Sequence, residues 1–136
     1  MRVMGIDYGD ARTGIAVSDL LCSIVGTTNV IHSRNMQKTV EEVSRIVKEN
    51  GVTEIVVGLP KNMDGTEGPR AGLCRDFAKL VEEATGLNVT LWDERRTTVE
   101  AHNILSAHNY HGKKRKNTVD AVAAALILEG YLAFRK

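Results

Sequence analysis

Three acidic positions, far apart along the chain, carry carboxylates where a folded protein gains little structural benefit from them. Asp7 ends the apolar run of residues 3–6, Glu94 follows a second apolar run directly after Asp93, and Asp120 opens a long apolar stretch near the C-terminus. Buried carboxylates are costly unless they are paired or bind a cation. The three positions are therefore candidate metal ligands.

Each acid also has a purely structural interpretation. Asp7 could form an Asx turn. The acidic pair before Arg95 and Arg96 could neutralise those two side chains on a solvated loop. Asp120 could be the N3 residue of a helix capped by Asn117, where the helix dipole would stabilise it.

Basic and amide side chains accompany the acids and are suited to phosphate groups. A polar loop is predicted over 108–117, and its basic run, residues 113–116, could equally be a solvated loop segment. The candidate substrate-binding residues are Arg12, Lys61, Asn62, Arg70, Arg95, Arg96, Lys113, Lys114, Arg115, Lys116 and Asn117.

Hydrophobic periodicity predicts the elements that must position these side chains. Apolar runs predict strands over 3–6, 14–18, 28–32, 54–59 and 88–92. Helices are predicted over 36–50, 69–85, 97–107 and 118–134, and the last is apolar nearly all round, so we expect it to be largely buried. Gly51 and Gly86 end the first two helices, and Pro69 suits a first helical turn. The second helix is expected to bury Leu73, Phe77, Leu80, Val81 and Ala84. The order βββαβαβαα predicts an α/β mixed sheet led by a hairpin, with helices on both faces.

The carboxyl ends of neighbouring parallel strands meet at one edge of a sheet, where ligands bind. If the strand over 54–59 lies between the first and fifth strands, Asp7 and Glu94 are about 9–10 Å apart. Gly58 has no side chain to fill that gap. With Asp120 contributed by a helix, the acids could share one or two Mg²⁺ or Mn²⁺ ions. Carboxylate-bound metal beside arginine and lysine is the chemistry of phosphodiester hydrolysis.

Composition limits the alternatives. The 136 residues, 43% hydrophobic and 26% charged, predict a single domain over 1–136. The net charge of +1 gives no global field for a polyanion. No apolar run reaches the roughly 18 residues of a membrane span, and no signal-peptide pattern is present, so we expect a cytoplasmic protein without a membrane partner. Cys22 and Cys74 are expected to be reduced, buried thiols.

Five motifs resemble those of the YqgF family, in the same order and spacing over nearly the whole chain. They are Gly5-Ile6-Asp7-Tyr8-Gly9, residues 12–19, Val57-Gly58-Leu59-Pro60 with residues 63–68, residues 93–98, and Asn117-Thr118-Val119-Asp120-Ala121. The family, also called RuvX, belongs to the ribonuclease H-like superfamily. The resemblance implies a three-layer α/β fold whose five-stranded mixed sheet has the order 3-2-1-4-5, with helices on both faces.

The resemblance also implies a cytoplasmic bacterial nuclease that matures the 5′ end of pre-16S ribosomal RNA. Asp7, Glu94 and Asp120 match the family's catalytic and metal-binding acids. The alternative is a resolvase that cleaves four-way DNA junctions, by analogy with RuvC. Expected partners are thus structured RNA or branched DNA, and the oligomeric state is left open.

Two further classes of protein compete with a nuclease. A non-catalytic RNA-binding module of a ribosome-assembly or transcription complex would need the basic groove but not the three acids. An actin-like ATPase has a similar sheet but needs a second lobe, which 136 residues cannot supply. Tyr8, Trp92 and Tyr110 are the aromatic residues expected near enough to stack on bases, and none of them distinguishes RNA from DNA.

Overall fold

A five-stranded mixed sheet with helices on both faces organises the chain, as predicted. The structure is a computed structural model that describes residues 1–22, 24–93 and 112–135, and for residues 112–120 it describes the backbone alone. The strand order β3-β2-β1-β4-β5 confirms the order implied by the family resemblance. The elements are β1 (Arg2–Asp7), β2 (Arg12–Ser18), β3 (Val25–His32), α1 (Met36–Asn50), β4 (Val52–Leu59), α2 (Pro69–Thr85), β5 (Val89–Asp93) and α3 (Gly112–Arg135).

The sheet combines an antiparallel hairpin with two parallel pairings. β1 pairs antiparallel with β2, and Asp7 faces Gly14 in that register. β1 pairs parallel with β4, and β4 pairs parallel with β5. The carboxyl ends of β1, β4 and β5 therefore lie along one edge of the sheet.

Two hydrophobic cores cover the two faces of the sheet. On one face, α1 and α2 pack onto alternate strand residues such as Ile6 and Val57. On the other, α3 packs Ala124 and Leu128 against a core that includes Val3. A Cβ atom built at Gly5 would lie 2.8 Å from the Cβ of Leu128, so the glycine permits the close approach of α3 to β1.

The bounds of α1 and α2 match the predictions because their caps are clear in the sequence. The Asn35 side chain accepts a hydrogen bond from the Lys38 backbone N–H at the start of α1, and Gly51 follows the helix with φ of 65°. Pro69 begins α2, and Gly86 follows it with φ of 71°. Both glycines adopt the left-handed conformation that commonly ends a helix.

The stripe that α2 buries differs from the predicted one. The buried residues are Ala71, Cys74, Phe77, Ala78 and Val81. Leu73, predicted to be buried, is 41% exposed, and Ala84 is also exposed. Three small side chains, Ala71, Cys74 and Ala78, therefore share the buried face with Phe77 and Val81, since α2 contacts both α1 and the sheet. A prediction based on hydrophobicity alone therefore places Leu73 in the core, whereas the helix leaves it exposed.

The last helix begins earlier than predicted. α3 starts at Gly112, whereas the sequence pattern placed the start at Thr118 and a loop over 108–117. Lysine and arginine are good helix formers, so a basic run does not by itself break a helix. The helix predicted over 97–107 lies outside the described residues.

The two cysteines are free thiols with different environments. Cys74 is buried, as expected, but Cys22 is only partly buried. Among the helices described, none combines the length and the apolar composition that a membrane span requires.

Candidate active site at the carboxyl edge of the sheet

Asp7 lies at the carboxyl end of the central strand and on the face that α3 covers. Side chains alternate along a strand, so Asp7 shares a face with Val3 and Gly5. Val3 belongs to the core beneath α3, and Gly5 contacts Leu128 of that helix. Asp7 is partly buried, and its strand partner Gly14 has no side chain to cover it. Its carboxylate therefore belongs to the α3 side of the sheet edge.

β4 separates β1 from β5, as the site prediction required. Ile6 pairs with Val57, so Gly58 is the residue of β4 beside Asp7. Gly58 in turn pairs with Trp92 of β5. The position of β4 between β1 and β5 confirms the predicted strand order, and Gly58 places no side chain between the two outer strands. Glu94 follows Asp93, the last residue of β5, and lies outside the described residues.

The direction of α3 brings its N-terminal half toward the edge that carries Asp7. The Tyr131 hydroxyl donates a hydrogen bond to Glu54, and an Arg135 nitrogen lies 3.1 Å from a Glu54 carboxylate oxygen. Glu54 pairs with Val3 near the amino end of β1. The C-terminal turns of α3 therefore lie toward the amino ends of the parallel strands, and its earlier turns lie toward their carboxyl ends.

Asp120 occupies a position on α3 that suits a shared site. It lies one helical turn before Ala124 and two turns before Leu128, the two residues that pack over Gly5. Its backbone is thus on the stripe of α3 that faces β1, displaced toward Asp7. Because the helix begins at Gly112, eight residues earlier, the interpretation of Asp120 as an N3 residue capped by Asn117 is wrong.

The turn that follows Asp7 is held by contacts on both sides. The Gly9 N–H donates to the hydroxyl of Thr13 over 3.4 Å, and Thr13 is fully buried. A Cβ atom at Gly9 would lie 2.1 Å from the backbone oxygen of Arg12, so only glycine fits. An Arg70 nitrogen donates to the backbone oxygen of Tyr8 over 2.6 Å. The sequence prediction gave no role to Thr13, which directly precedes the apolar run of residues 14–17 in β2.

Arg12 lies on the same face of the sheet as Asp7. It begins β2 two residues before Gly14, the strand partner of Asp7, and is partly buried. Arg70 is in the first turn of α2, with 46% of its side chain exposed, and one of its nitrogens lies 3.5 Å from an Asp10 carboxylate oxygen. Both arginines are therefore at the predicted edge.

The loop over 61–68 is ordered by its own hydrogen bonds. The Asn62 amide donates to the Thr66 hydroxyl over 2.9 Å, and the Thr66 hydroxyl donates to Asp64 over 2.6 Å. Arg75 of α2 donates two hydrogen bonds to Glu67, over 2.8 and 2.7 Å, and these hold the pKa of the Glu67 carboxyl below its ordinary value. Lys61 is partly buried at the start of this loop and Asn62 is exposed.

Tyr8 does not have the base-stacking role expected from the sequence. Its ring stacks on Phe77 with centroids 4.3 Å apart, and the residue is 7% exposed. Burial, and then the nearby carboxylate of Asp10, raise the pKa of its phenol. Trp92 is 9% exposed and packs edge-on against Tyr131, so it too is a core residue. Tyr110 lies outside the described residues.

The remaining predicted substrate-binding residues are only partly located. Arg95 and Arg96 lie outside the described residues. Lys113, Lys114, Arg115, Lys116 and Asn117 lie in the first two turns of α3 rather than in the predicted loop. Their backbone therefore belongs to the end of α3 that points toward the carboxyl edge.

The described part of the site fits a hard divalent cation by its donor chemistry. A carboxylate at a partly open strand end, flanked by two glycines, offers oxygen ligands of the kind that Mg²⁺ prefers. Among the side chains that the structure describes, no group of three potential ligands occurs, and the side chains of Glu94 and Asp120 are not among them.

Related sequences match nearly the whole chain. The family model described as "RuvX: Holliday junction resolvase" matches residues 1–134. A protein of Carboxydothermus hydrogenoformans named "Putative pre-16S rRNA nuclease" is 42% identical over 135 residues, which are 99% of this chain and 98% of that protein. A protein of the same name from Halothermothrix orenii is 43% identical over 135 residues, 99% of this chain and 96% of that protein.

Two solved structures share the fold. RuvC of T. thermophilus, in complex with a Holliday junction substrate, has a TM-score of 0.61 at 15% identity and covers 99% of this chain and 95% of its own. Fowlpox virus resolvase, in complex with Holliday junction DNA, has a TM-score of 0.64 at 10% identity and covers 99% of both chains. These similarities confirm the predicted ribonuclease H-like architecture.

Proposed function

Because the chain belongs to the RuvX family, we propose that it is a nuclease that hydrolyses phosphodiester bonds near the 5′ end of pre-16S ribosomal RNA. The name carried by relatives that are 42–43% identical over almost the full length supports this substrate. The observation that carries the proposal is the placement of Asp7. It ends the central strand on the face that α3 covers, beside Gly58 of β4.

The proposed catalytic acids are Asp7, Glu94 and Asp120, which would hold one or two divalent cations. Glu94 is the next residue after β5, two strands from β1, and Asp120 lies on the stripe of α3 that faces β1. Bound Mg²⁺ or Mn²⁺ would acidify water and neutralise the charge that develops on the phosphate during hydrolysis. The three carboxylates would provide the oxygen ligands from three separate elements.

The proposed substrate-binding residues would surround the acids at the same edge. Arg12 shares the face of Asp7, and Lys61 and Asn62 follow the end of β4. Arg70 lies in the first turn of α2, while Arg95, Arg96 and residues 113–117 complete the set. Their charged and amide N–H groups would bind and orient the phosphates of the strand.

The other proposed properties follow from this activity. The protein would act as a single nuclease domain over residues 1–136 in the cytoplasm, with structured RNA as its main partner. The ribosome-assembly machinery is the protein partner that such a substrate favours. The alternative function is resolution of four-way DNA junctions, which the description of the family model supports.

A comparison of substrates tests the proposal. Purified protein is incubated with Mg²⁺ or Mn²⁺, or with EDTA, on a 5′-extended pre-16S RNA, a four-way DNA junction and linear RNA and DNA duplexes. We expect cleavage of the precursor RNA in the presence of metal and none in EDTA. Preferential cleavage of the junction would establish the alternative, and binding of RNA without any cleavage would support the RNA-binding module instead.

A further inference from the structure

Arg70 connects the start of α2 to the turn that follows Asp7. One of its terminal nitrogens donates to the backbone oxygen of Tyr8 over 2.6 Å, and the other lies 3.5 Å from a carboxylate oxygen of Asp10. The first nitrogen is also 3.7 Å from the position that a Cβ atom of Gly9 would occupy. The guanidinium therefore contacts the turn over residues 8–10, although Arg70 and Tyr8 are 62 residues apart in the sequence.

Other contacts restrain the same turn from the remaining directions. The Tyr8 ring stacks on Phe77, which lies two turns further along α2 than Arg70. The Gly9 N–H donates to Thr13 from the β2 side. Among these contacts, the one from Arg70 reaches the backbone oxygen of the residue directly after Asp7.

We infer that Arg70 is a positioning residue that fixes the backbone after Asp7 and so orients the Asp7 carboxylate for the reaction. The inference rests on the proposed nuclease function for its catalytic consequence, but the contact itself does not. Holding the oxygen of Tyr8 fixes the plane of the peptide that follows Tyr8, one residue beyond Asp7. A catalytic group must be held closely to its productive geometry, and the planar fork of arginine can restrain two acceptors at once.

Two variants of Arg70 separate positioning from phosphate binding. Arg70→Gln removes the charge, whereas Arg70→Lys keeps the charge but loses the planar fork. The control is Arg45→Gln on α1, because the Arg45 side chain is 50% exposed and also binds two acceptors, Glu42 and Glu49. Arg45 is near the end of α1 that leads into the amino end of β4, away from the proposed site.

The first measurement compares catalysis with binding on the precursor RNA. Misplacement of a catalytic group can cost about 100-fold in rate, so we expect kcat to fall by about 10- to 100-fold in both Arg70 variants. The Kd for RNA should stay the same in Arg70→Lys, and Arg45→Gln should behave like wild type. The inference would be overturned in favour of a phosphate contact if Arg70→Lys had the kcat of wild type and Arg70→Gln only weakened RNA binding.

The second measurement does not depend on activity. Amide hydrogen exchange of residues 8–12, followed without metal or RNA, should become faster in both Arg70 variants and stay unchanged in Arg45→Gln. Unchanged exchange in this turn would overturn the positioning role. If the exchange result holds but the wild-type protein cleaves no RNA, the proposed function fails and the positioning of Asp7 by Arg70 still stands.

Discussion

Replacing Gly5 by alanine is expected to destabilise the protein, because β1 and α3 leave no room for a methyl group. A Cβ atom at this position lies 2.8 Å from the Cβ of Leu128 and 3.0 Å from the backbone oxygen of Ala124. Neither atom is at the end of a flexible side chain. The helix or the strand must therefore shift by several tenths of an ångström to restore an ordinary contact.

The expected magnitude follows from two opposing effects. Overpacking of a well-packed core costs about 1–3 kcal/mol. Alanine in place of glycine returns about 0.5–1 kcal/mol, because it restricts the unfolded chain. The net loss in free energy of unfolding should be about 0–2.5 kcal/mol, centred near 1 kcal/mol, which corresponds to a Tm lower by up to roughly 10 °C in a domain of this size.

Thermal and urea denaturation followed by circular dichroism measure this change. Gly72→Ala is the matched control, since Gly72 lies inside α2 and a Cβ atom there would meet nothing within 4 Å. That variant should gain about 0.5–1 kcal/mol, because alanine is the better helix former. A Gly5→Ala protein that gains stability as Gly72→Ala does would refute the close packing of α3 on β1, on which the proposed contribution of Asp120 to the site depends.

Three other results are expected. In EDTA, Asp120→Asn should melt at a higher temperature than wild type and be more stable by on the order of 1 kcal/mol, because the substitution relieves repulsion among three acids. Added Mg²⁺ should stabilise this variant less than wild type. A lower melting temperature together with a full magnesium response would remove Asp120 from the site. Changing Lys113, Lys114 and Lys116 to Gln should reduce the salt dependence of RNA binding by roughly two to three counterions, at about 0.7–0.9 per phosphate contact. An unchanged slope of log K against log salt concentration would indicate that these residues form a solvated helix end without phosphate contacts. Burial raises the pKa of Tyr8, so its contribution to stability should be complete below its unfolded pKa of about 10 and be lost as the pH rises through its folded pKa. The free energy of unfolding measured from pH 8 to 11 should therefore fall less steeply with pH in Tyr8→Phe than in wild type. An equal slope in the two proteins would contradict the burial of the phenol.

Local chemical signals made most of the fold predictable. Asn35, Gly51, Pro69 and Gly86 mark helix ends through interactions within a few residues, so the bounds of α1 and α2 could be predicted. The edge strand β3 begins at Val25, whereas the prediction placed its start at residue 28. The prediction missed the first three residues because the exposed residues of this strand do not alternate in hydrophobicity. A strand whose side chains are mostly exposed leaves a weak hydrophobic pattern in the sequence.

The candidate site depends on longer-range contacts that the sequence does not reveal. Asp7 and Gly58 were predictable as neighbours because strand order and register determine their positions. The burial of Tyr8 against Phe77 and the bond from Arg70 to the Tyr8 oxygen depend instead on how α2 packs on the sheet. Polar and aromatic residues near a predicted site can therefore serve to build it rather than to contact the substrate.

Cleavage of precursor RNA by Asp7→Asn, compared with wild type at equal RNA occupancy in Mg²⁺, tests the proposed nuclease most directly. The substitution keeps the size of the side chain but removes the charge that would bind the cation. Asp76→Asn, an exposed position on α2, is the control for a lost carboxylate. We expect Asp7→Asn to bind the RNA with wild-type affinity and to cleave none of it, while Asp76→Asn cleaves normally. Undiminished cleavage by Asp7→Asn, or by wild type in EDTA, would contradict the proposed carboxylate–metal site.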